Sequence, residues 1–345
     1  MKGFASDNYA GVLPEVMLAL RHANAEHAAS YGSDPITQRV TAQLKDFFEA
    51  DVTVAFVFNG TGANVLSMSA ATESYHSILS TAVSHICNDE STAPETFTGC
   101  RMIPVPPSKD GKLTVDSLIP KIIRKGDIHF AQPKLISLTQ ATEYGTVYTA
   151  DEIASIATLA RQHDMYVHMD GARFFNALAT LQCSPATITS KAGIDILSLG
   201  GTKAGMMYGE AVVVFHPKLA KAIRYKQKQV MQLASKTRFI AAQFEALLQE
   251  DLWRQPASHS NQMAQVLFRS IQNIPAVQVT MPVQANAVFA TLPPACVAPL
   301  QAQFPFYVWD EATHEVRLMC SFDTTAEEIS AFSFALQKQI AEANQ

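Results

Sequence analysis

The stretch Ile194-Asp-Ile-Leu-Ser-Leu-Gly-Gly-Thr-Lys-Ala-Gly205 constrains the fold more than any other. Its first six residues read as a buried strand. Gly200 and Gly201 end that strand, and Thr202 and Lys203 follow. Glycines let a backbone approach a bound group closely. Thr202 adds a hydroxyl, and a desolvated Lys203 amine sheds its proton and becomes a nucleophile towards aldehydes. On its own, a lysine at a strand end is more often a plain surface residue.

A second stretch of the same kind changes those odds. In Tyr166-Val-His-Met-Asp-Gly-Ala-Arg173, a short strand over 165–169 ends at Asp170, again beside a glycine. In open α/β sheets, ligands bind outside the carboxyl ends of strands. A lysine and a carboxylate at two such ends are the pair a pyridoxal phosphate site needs. The amine carries the aldehyde, and the carboxylate keeps the pyridine nitrogen protonated. A third stretch supplies an anion site. Val52 to Phe58 is an almost continuous apolar strand, followed by Asn59-Gly-Thr-Gly-Ala63 and a helix over 63–71. Free N–H groups and the dipole at a helix start favour an anion there. Gly60, Thr61 and Gly62 therefore read as the cradle of the cofactor phosphate. No GK[ST] closes the loop, so it is not a Walker motif.

HMDGAR and LGGTKAG, with SDNYAG, YGSDPITQR, FNGTGAN, VSHICNDE and SLTQATEYGTVY in that family's order, resemble the low-specificity L-threonine aldolases. These are pyridoxal-phosphate enzymes of the aspartate-aminotransferase fold type, fold type I. The resemblance implies an α/β large domain over 1–250, with an N-terminal arm and a mostly parallel sheet flanked by helices. A smaller C-terminal α+β domain over 251–345 follows. It also implies that His85 stacks on the pyridine ring, oriented by Glu90. Arg173 lies at the cofactor's phenolic oxygen and the substrate carboxylate, and Thr202 lies beside the cofactor. Ser6 and Arg317 hold that carboxylate. Arg238 binds the phosphate of the neighbouring subunit, and Tyr31 reaches towards the partner's site. Such sharing implies a homodimer or homotetramer. Another branch of the family carries histidine where this chain has Glu143, so the base at the substrate hydroxyl is left open between His85, Glu143 and an ordered water. Ala204 stands where relatives usually have asparagine.

Composition bounds the rest. The 345 residues are 48% apolar and 17% charged, enough for a sizeable core. A net charge of −5 argues against nucleic acid or an acidic membrane surface as partner. The five cysteines are odd in number and form no CxxC pair, which argues against a disulfide framework or a zinc site and fits a reducing cytosol. The first residues hold no apolar secretory segment, and no apolar run reaches spanning length. Further expected elements are helices from Pro35 to about Glu49, from Thr114 into Arg124, over 151–161 behind a Thr149-x-x-Glu152 cap, and from Pro217 to about Glu250. The C-terminal part reads as a helix over 261–271, a strand over 287–292, a hairpin over 306–319 and a last helix from Thr325. His168 alternates with Asp170 on its strand and either supports it or is simply buried.

The expected reaction is retro-aldol cleavage of the Cα–Cβ bond of L-threonine or L-allo-threonine, giving glycine and an aldehyde. The rival enzymes are fold mates, a β-eliminating lyase or an amino-acid racemase. The rival of another class is a non-catalytic module that uses FNGTGAN to bind an anion, which predicts a colourless protein.

Overall fold

The computed structural model describes residues 2–343. Seven strands build the main sheet: β1 (Thr53–Val57), β2 (His76–Thr81), β3 (Arg101–Val105), β4 (Gln132–Thr139), β5 (Tyr166–Gly171), β6 (Ile196–Gly200) and β7 (Glu210–Val214). Their spatial order is β1-β7-β6-β5-β4-β2-β3. The pairs among β2 to β6 are parallel, whereas β7 runs antiparallel to both β6 and β1. Only a short loop joins β6 to β7, too little chain for a crossover helix, so the chain folds straight back. Because β7 is reversed relative to both neighbours, β1 points the same way as β6. The carboxyl ends of β1, β2, β4, β5 and β6 therefore open on one edge of the sheet.

The strands are nearly continuous apolar runs because both faces are covered. Val54, Phe56, Leu197 and Val213 face one core, and Ala55, Val57, Ile196 and Val212 face the other. Helices α1 (Pro14–Ala23), α2 (Pro35–Phe47) and α3 (Gly60–Ala71) open the large unit. Asp34 caps α2 through Thr37, and Pro35 takes the first position. Thr149 and Glu152 form the expected capping box on the helix Ala150–Gln162.

A second, antiparallel sheet has the order β10-β11-β9-β8, from β8 (Gln278–Val279), β9 (Ala287–Thr291), β10 (Tyr307–Asp310) and β11 (Glu315–Met319). The last helix, Ala326–Ala343, covers its core. The helix Arg254–Ile271 serves both cores, with Ala257 in the large one and Leu267 and Ile271 in the small one. The N-terminal arm also joins the small core. Phe4 is buried against Phe332, and the Met319 amide donates to its carbonyl.

Two expected helices are shorter than their patterns. The one capped by Thr114 ends at Leu118 and tightens into a 3-10 turn over Ile119–Lys121, because Pro120 has no amide to continue the ladder. Arg124 is already in a left-handed turn. The stretch from Pro217 breaks into Pro217–Ala220, Ile223–Gln229 and Arg238–Leu248. The second break is tied to the glycine loop. Buried Gln227 donates to the Phe56 and Gln232 carbonyls, and the Gln232 side chain accepts from the Phe58 amide.

Candidate active site

The five strand ends and the small sheet enclose a cleft of about 460 Å³. Its floor is set by the approach of β5 to β6. A Cβ on Gly200 would lie 2.5 Å from the Ala172 carbonyl oxygen, so only glycine lets the turn after Asp170 pass this close to the turn carrying Lys203. Both side chains line the cleft. Asp170 accepts from the Ala172 amide at 3.0 Å and from Asn64 Nδ2 at 2.9 Å. Lys203 is half-buried and forms no ion pair among the described residues. Burial, and then the Arg173 charge, depress the affinity of its amine for a proton.

Gly60 and Thr61 also line the cleft, at the start of α3, and their amides have no acceptor among the described residues. Gly62 turns away from the cleft. Its amide donates to the capping Asn59 Oδ1, and a Cβ there would fall 2.3 Å from Gln232 Cδ. Of the three glycine-loop residues, the first two therefore face the cleft, and the third makes room for Gln232.

His85 follows β2. Its Nδ1 lies 2.9 Å from Oε1 of Glu90, whose side chain is wholly buried. This bond raises the affinity of the imidazole for a proton. Asn64 donates to the same Glu90 oxygen at 2.8 Å and so bridges it to Asp170. Glu143 follows β4 and accepts from Thr139 Oγ1 at 2.8 Å and from the His85 amide at 3.0 Å. Burial pushes Glu143 up to about 6, against the pull of its own amide and these two donors. His168 does not touch Asp170. It bridges Ser137 and Ser198 across three strands at 2.8 and 2.9 Å, and burial lowers it to about 4.

The arm and the small sheet form the roof. Ser6 Oγ accepts from the Asn8 amide, which leaves its own proton for a ligand. Arg173 makes a two-point ion pair with buried Asp7, Nε to Oδ2 at 2.7 Å and a terminal nitrogen to Oδ1 at 2.9 Å. Arg317, on β11, lies over the rings of Tyr307 and Trp309 and, among the described residues, donates only to the Ala5 carbonyl, at 3.3 Å. Its Nε is buried without a partner, and burial lowers the guanidinium to about 10.

Two expected residues lie elsewhere. Arg238 donates to the Glu26 carbonyl, and Tyr31 accepts through its carbonyl from Arg224. The Tyr31 amide bonds Ser235, so the two residues sit near each other, outside the cleft of their own chain. Thr202 points its hydroxyl to Glu210 rather than into the cleft.

Sequence reasoning missed Asn64, Glu210 and Asn286, and gave no role to Asp7. Glu210 opens β7 opposite Gly200 and accepts from the Gly201 amide; burial raises it to about 7. The available signal was a carboxylate heading an otherwise apolar strand. Asn64 showed as an amide one turn into an apolar helix.

The cleft fits pyridoxal phosphate on its own chemistry. It offers an amine of depressed basicity, a carboxylate fixed by two donors, and unpartnered amides at a helix start. A mixed α/β sheet with these groups at its carboxyl edge, and a smaller α+β unit closing over it, defines a fold-type-I enzyme. A family model described as "Beta-eliminating lyase" matches residues 3–293. The low specificity L-threonine aldolase of Pseudomonas aeruginosa is 42% identical over 327 residues, covering 94% of each chain. That of a Pseudomonas sp. strain is 42% identical over 322 residues, covering 93% of each. The solved threonine aldolase of Leishmania major superposes with a TM-score of 0.92 at 28% identity, covering 99% of this chain and 100% of that one. This chain belongs to the low-specificity L-threonine aldolase family.

Proposed function

We propose that the protein is a pyridoxal-phosphate lyase that cleaves L-threonine and L-allo-threonine to glycine and acetaldehyde. The observation that carries this reading is the meeting of Lys203 and Asp170 at neighbouring strand ends, beneath an arginine that has no anionic partner. Lys203 would hold the cofactor's aldehyde, Asp170 its pyridine nitrogen, and Gly60 and Thr61 its phosphate. When bound, the cofactor supplies an electron sink for the pair released at the substrate Cα.

The remaining residues bind and orient. Arg317 takes the substrate carboxylate, for which a planar fork over two aromatic faces is well shaped. Ser6 adds a hydroxyl donor. Arg173, fixed by Asp7, keeps a permanent charge beside Lys203 and helps its amine stay unprotonated. Glu90 holds His85 by Nδ1 and so sets the plane of the imidazole against the cleft. The half-exposed His85 and the buried Glu90 act as one unit. The division into units over 1–250 and 251–345 is part of this reading, with the arm bridging the two. So is residence in the cytoplasm, which five free cysteines support. None of the helices among the described residues is long and apolar enough to cross a membrane.

The test is direct. Purified protein should be yellow, bleach with borohydride, and release glycine and acetaldehyde from threonine in equal amounts. Pyruvate and ammonia would mean β-elimination, D-amino acid would mean racemisation, and a colourless protein would mean no cofactor.

We also infer a homo-oligomer, a dimer or tetramer, in which Arg238 and Tyr31 complete the partner's cleft. They lie outside their own cleft, and Tyr31 is held by Arg224 and Lys228, on the helix that leads to Gln232 beside the glycine loop. Lys203→Ala and Arg238→Ala homo-oligomers should each be impaired, and mixing their subunits should restore activity by leaving some sites whole. If mixing restores nothing, Arg238 acts within its own chain. A fully active Arg238→Ala removes it from the site.

A further inference from the structure

We propose that Glu143 is the catalytic base of the cleavage and that its Oε2 takes the proton of the substrate β-hydroxyl. The proposal rests on the aldolase reading above and deepens it. The donors that other residues supply to this carboxylate, Thr139 Oγ1 and the His85 amide, both fall on Oε1. They come from β4 and from the turn after β2, so one oxygen is fixed to two strand ends. The second oxygen receives neither of them, and the residue lines the cleft with Lys203, Asp170 and Arg317. A carboxylate anchored through one oxygen and offered through the other is placed to accept a proton without reorganising.

His85 is the competing base. Its Nδ1 faces buried Glu90 at 2.9 Å, which favours the doubly protonated ring. The imidazolium form that this bond favours has no lone pair to accept a proton, and only the neutral ring keeps one, on Nε2. Glu143 titrates in a more useful place. Burial raises it to about 6, helped by the Asp170 charge. The other charged or titratable groups that feel it are Arg173, Cys87 and Tyr148. A carboxyl in this range is mostly ionised at neutral pH and still basic enough to share a proton in the transition state.

The step balances. Oε2 forms a bond to the hydroxyl proton, and the O–H pair becomes the second bond of the aldehyde carbonyl. The Cα–Cβ bond breaks, and its pair stays with the glycine Cα until a proton is taken up there. Glu143 ends neutral and returns its proton to solvent.

The test separates cleavage from binding. Glu143→Gln keeps Oε1 as acceptor for Thr139 and the His85 amide, so the local structure is preserved. Wild type, Glu143→Gln and Glu143→Asp holoenzymes are assayed for acetaldehyde release from threonine across about pH 5 to 9. They are also assayed by NMR for exchange of the glycine α-proton with D2O, a reaction that uses the same amine and carboxylate contacts but no hydroxyl. The expected result for Glu143→Gln is a kcat lower by about a hundredfold to ten-thousandfold, with KM and glycine exchange within about threefold of wild type. Its residual activity should lose the acid limb near pH 6. Glu143→Asp should recover part of kcat. Cleavage by Glu143→Gln within about tenfold of wild type, or an acid limb that persists, overturns the proposal. Loss of glycine exchange together with cleavage overturns it too, since the residue would then be shaping the site. A wild-type protein that exchanges the glycine proton but releases no acetaldehyde overturns the aldolase reading, and this proposal with it.

Discussion

The floor and the roof of the cleft differ in how their charged side chains are paired. On the floor, the Asp170, Glu90 and Glu210 carboxylates each take two donors and buried His168 is bonded through both ring nitrogens, while Glu90 Oε2 and Asn64 Oδ1 are buried without a partner. On the roof, Arg317 is held by two aromatic faces and one backbone carbonyl, with a buried Nε left over. A buried guanidinium without an anion is unfavourable. Arg173, close by, has the opposite character, because Asp7 neutralises it at two points. On the proposed function, the contrast would separate a guanidinium neutralised by the chain itself from one kept short of an anion that a substrate would supply.

The largest effect should come from the floor. Lys203→Ala removes the amine that would hold the cofactor, so turnover should fall to background and the visible absorbance bleached by borohydride should disappear. The circular dichroism spectrum should be unchanged. A mutant that keeps a borohydride-reducible absorbance on its chain would show that another lysine holds the aldehyde. Asp170→Ala should still bind cofactor but turn over several powers of ten more slowly, at about 1.4 kcal/mol per tenfold. Near-normal activity would make Asp170 structural, a partner of Asn64 and nothing more.

The roof should respond through binding. Arg317→Lys keeps the charge but loses the fork and the fit over Tyr307 and Trp309. KM for threonine should rise by roughly tenfold to a hundredfold, with a smaller change in kcat. An unchanged KM would erase the proposed division of labour between Arg317 and Arg173.

The floor was also far more legible in the sequence than the roof. Strand ends marked by glycine and a charged residue are local patterns, and they place Asp170, Lys203, Gly60 and Thr61 without any knowledge of packing. What connects those groups is not local. Asn64 meets Glu90 and Asp170 only because α3 lies across the sheet, and Glu210 reaches the lysine turn only because β7 folds back antiparallel. The small sheet offered still less. Arg317 stood out as an arginine among apolar residues, but its two aromatic contacts depend on the register of β10 against β11, which pairs Tyr307 with Arg317. The helix ends misjudged at Pro120 and at Met231 were decided by a missing amide and by the demands of Gln227 and Gln232, neither of which periodicity records.

The smallest effect sits where floor and roof are joined. Asp7 belongs to the arm whose Phe4 is buried in the small core, and it bonds Arg173 in the turn after β5 and Asn286 in the segment leading into β9. Burial alone would raise its carboxyl. Arg173, then Lys203 and the hydrogen bond from Asn286, overcome this and bring it from 3.8 to about 2. The folded state therefore binds this proton more weakly than the unfolded chain does. The resulting stability is complete above the ordinary carboxylate range and is lost as pH falls through about 2. At ~1.4 kcal/mol per unit, this linkage is worth roughly 2 kcal/mol at neutral pH. Asp7→Asn keeps the shape and loses the charge. Its thermal midpoint should lie several degrees below wild type at neutral pH, and the gap should close as both proteins are taken towards about pH 2. A gap that stays constant with pH would mean that Asp7 contributes by packing and not by its charge.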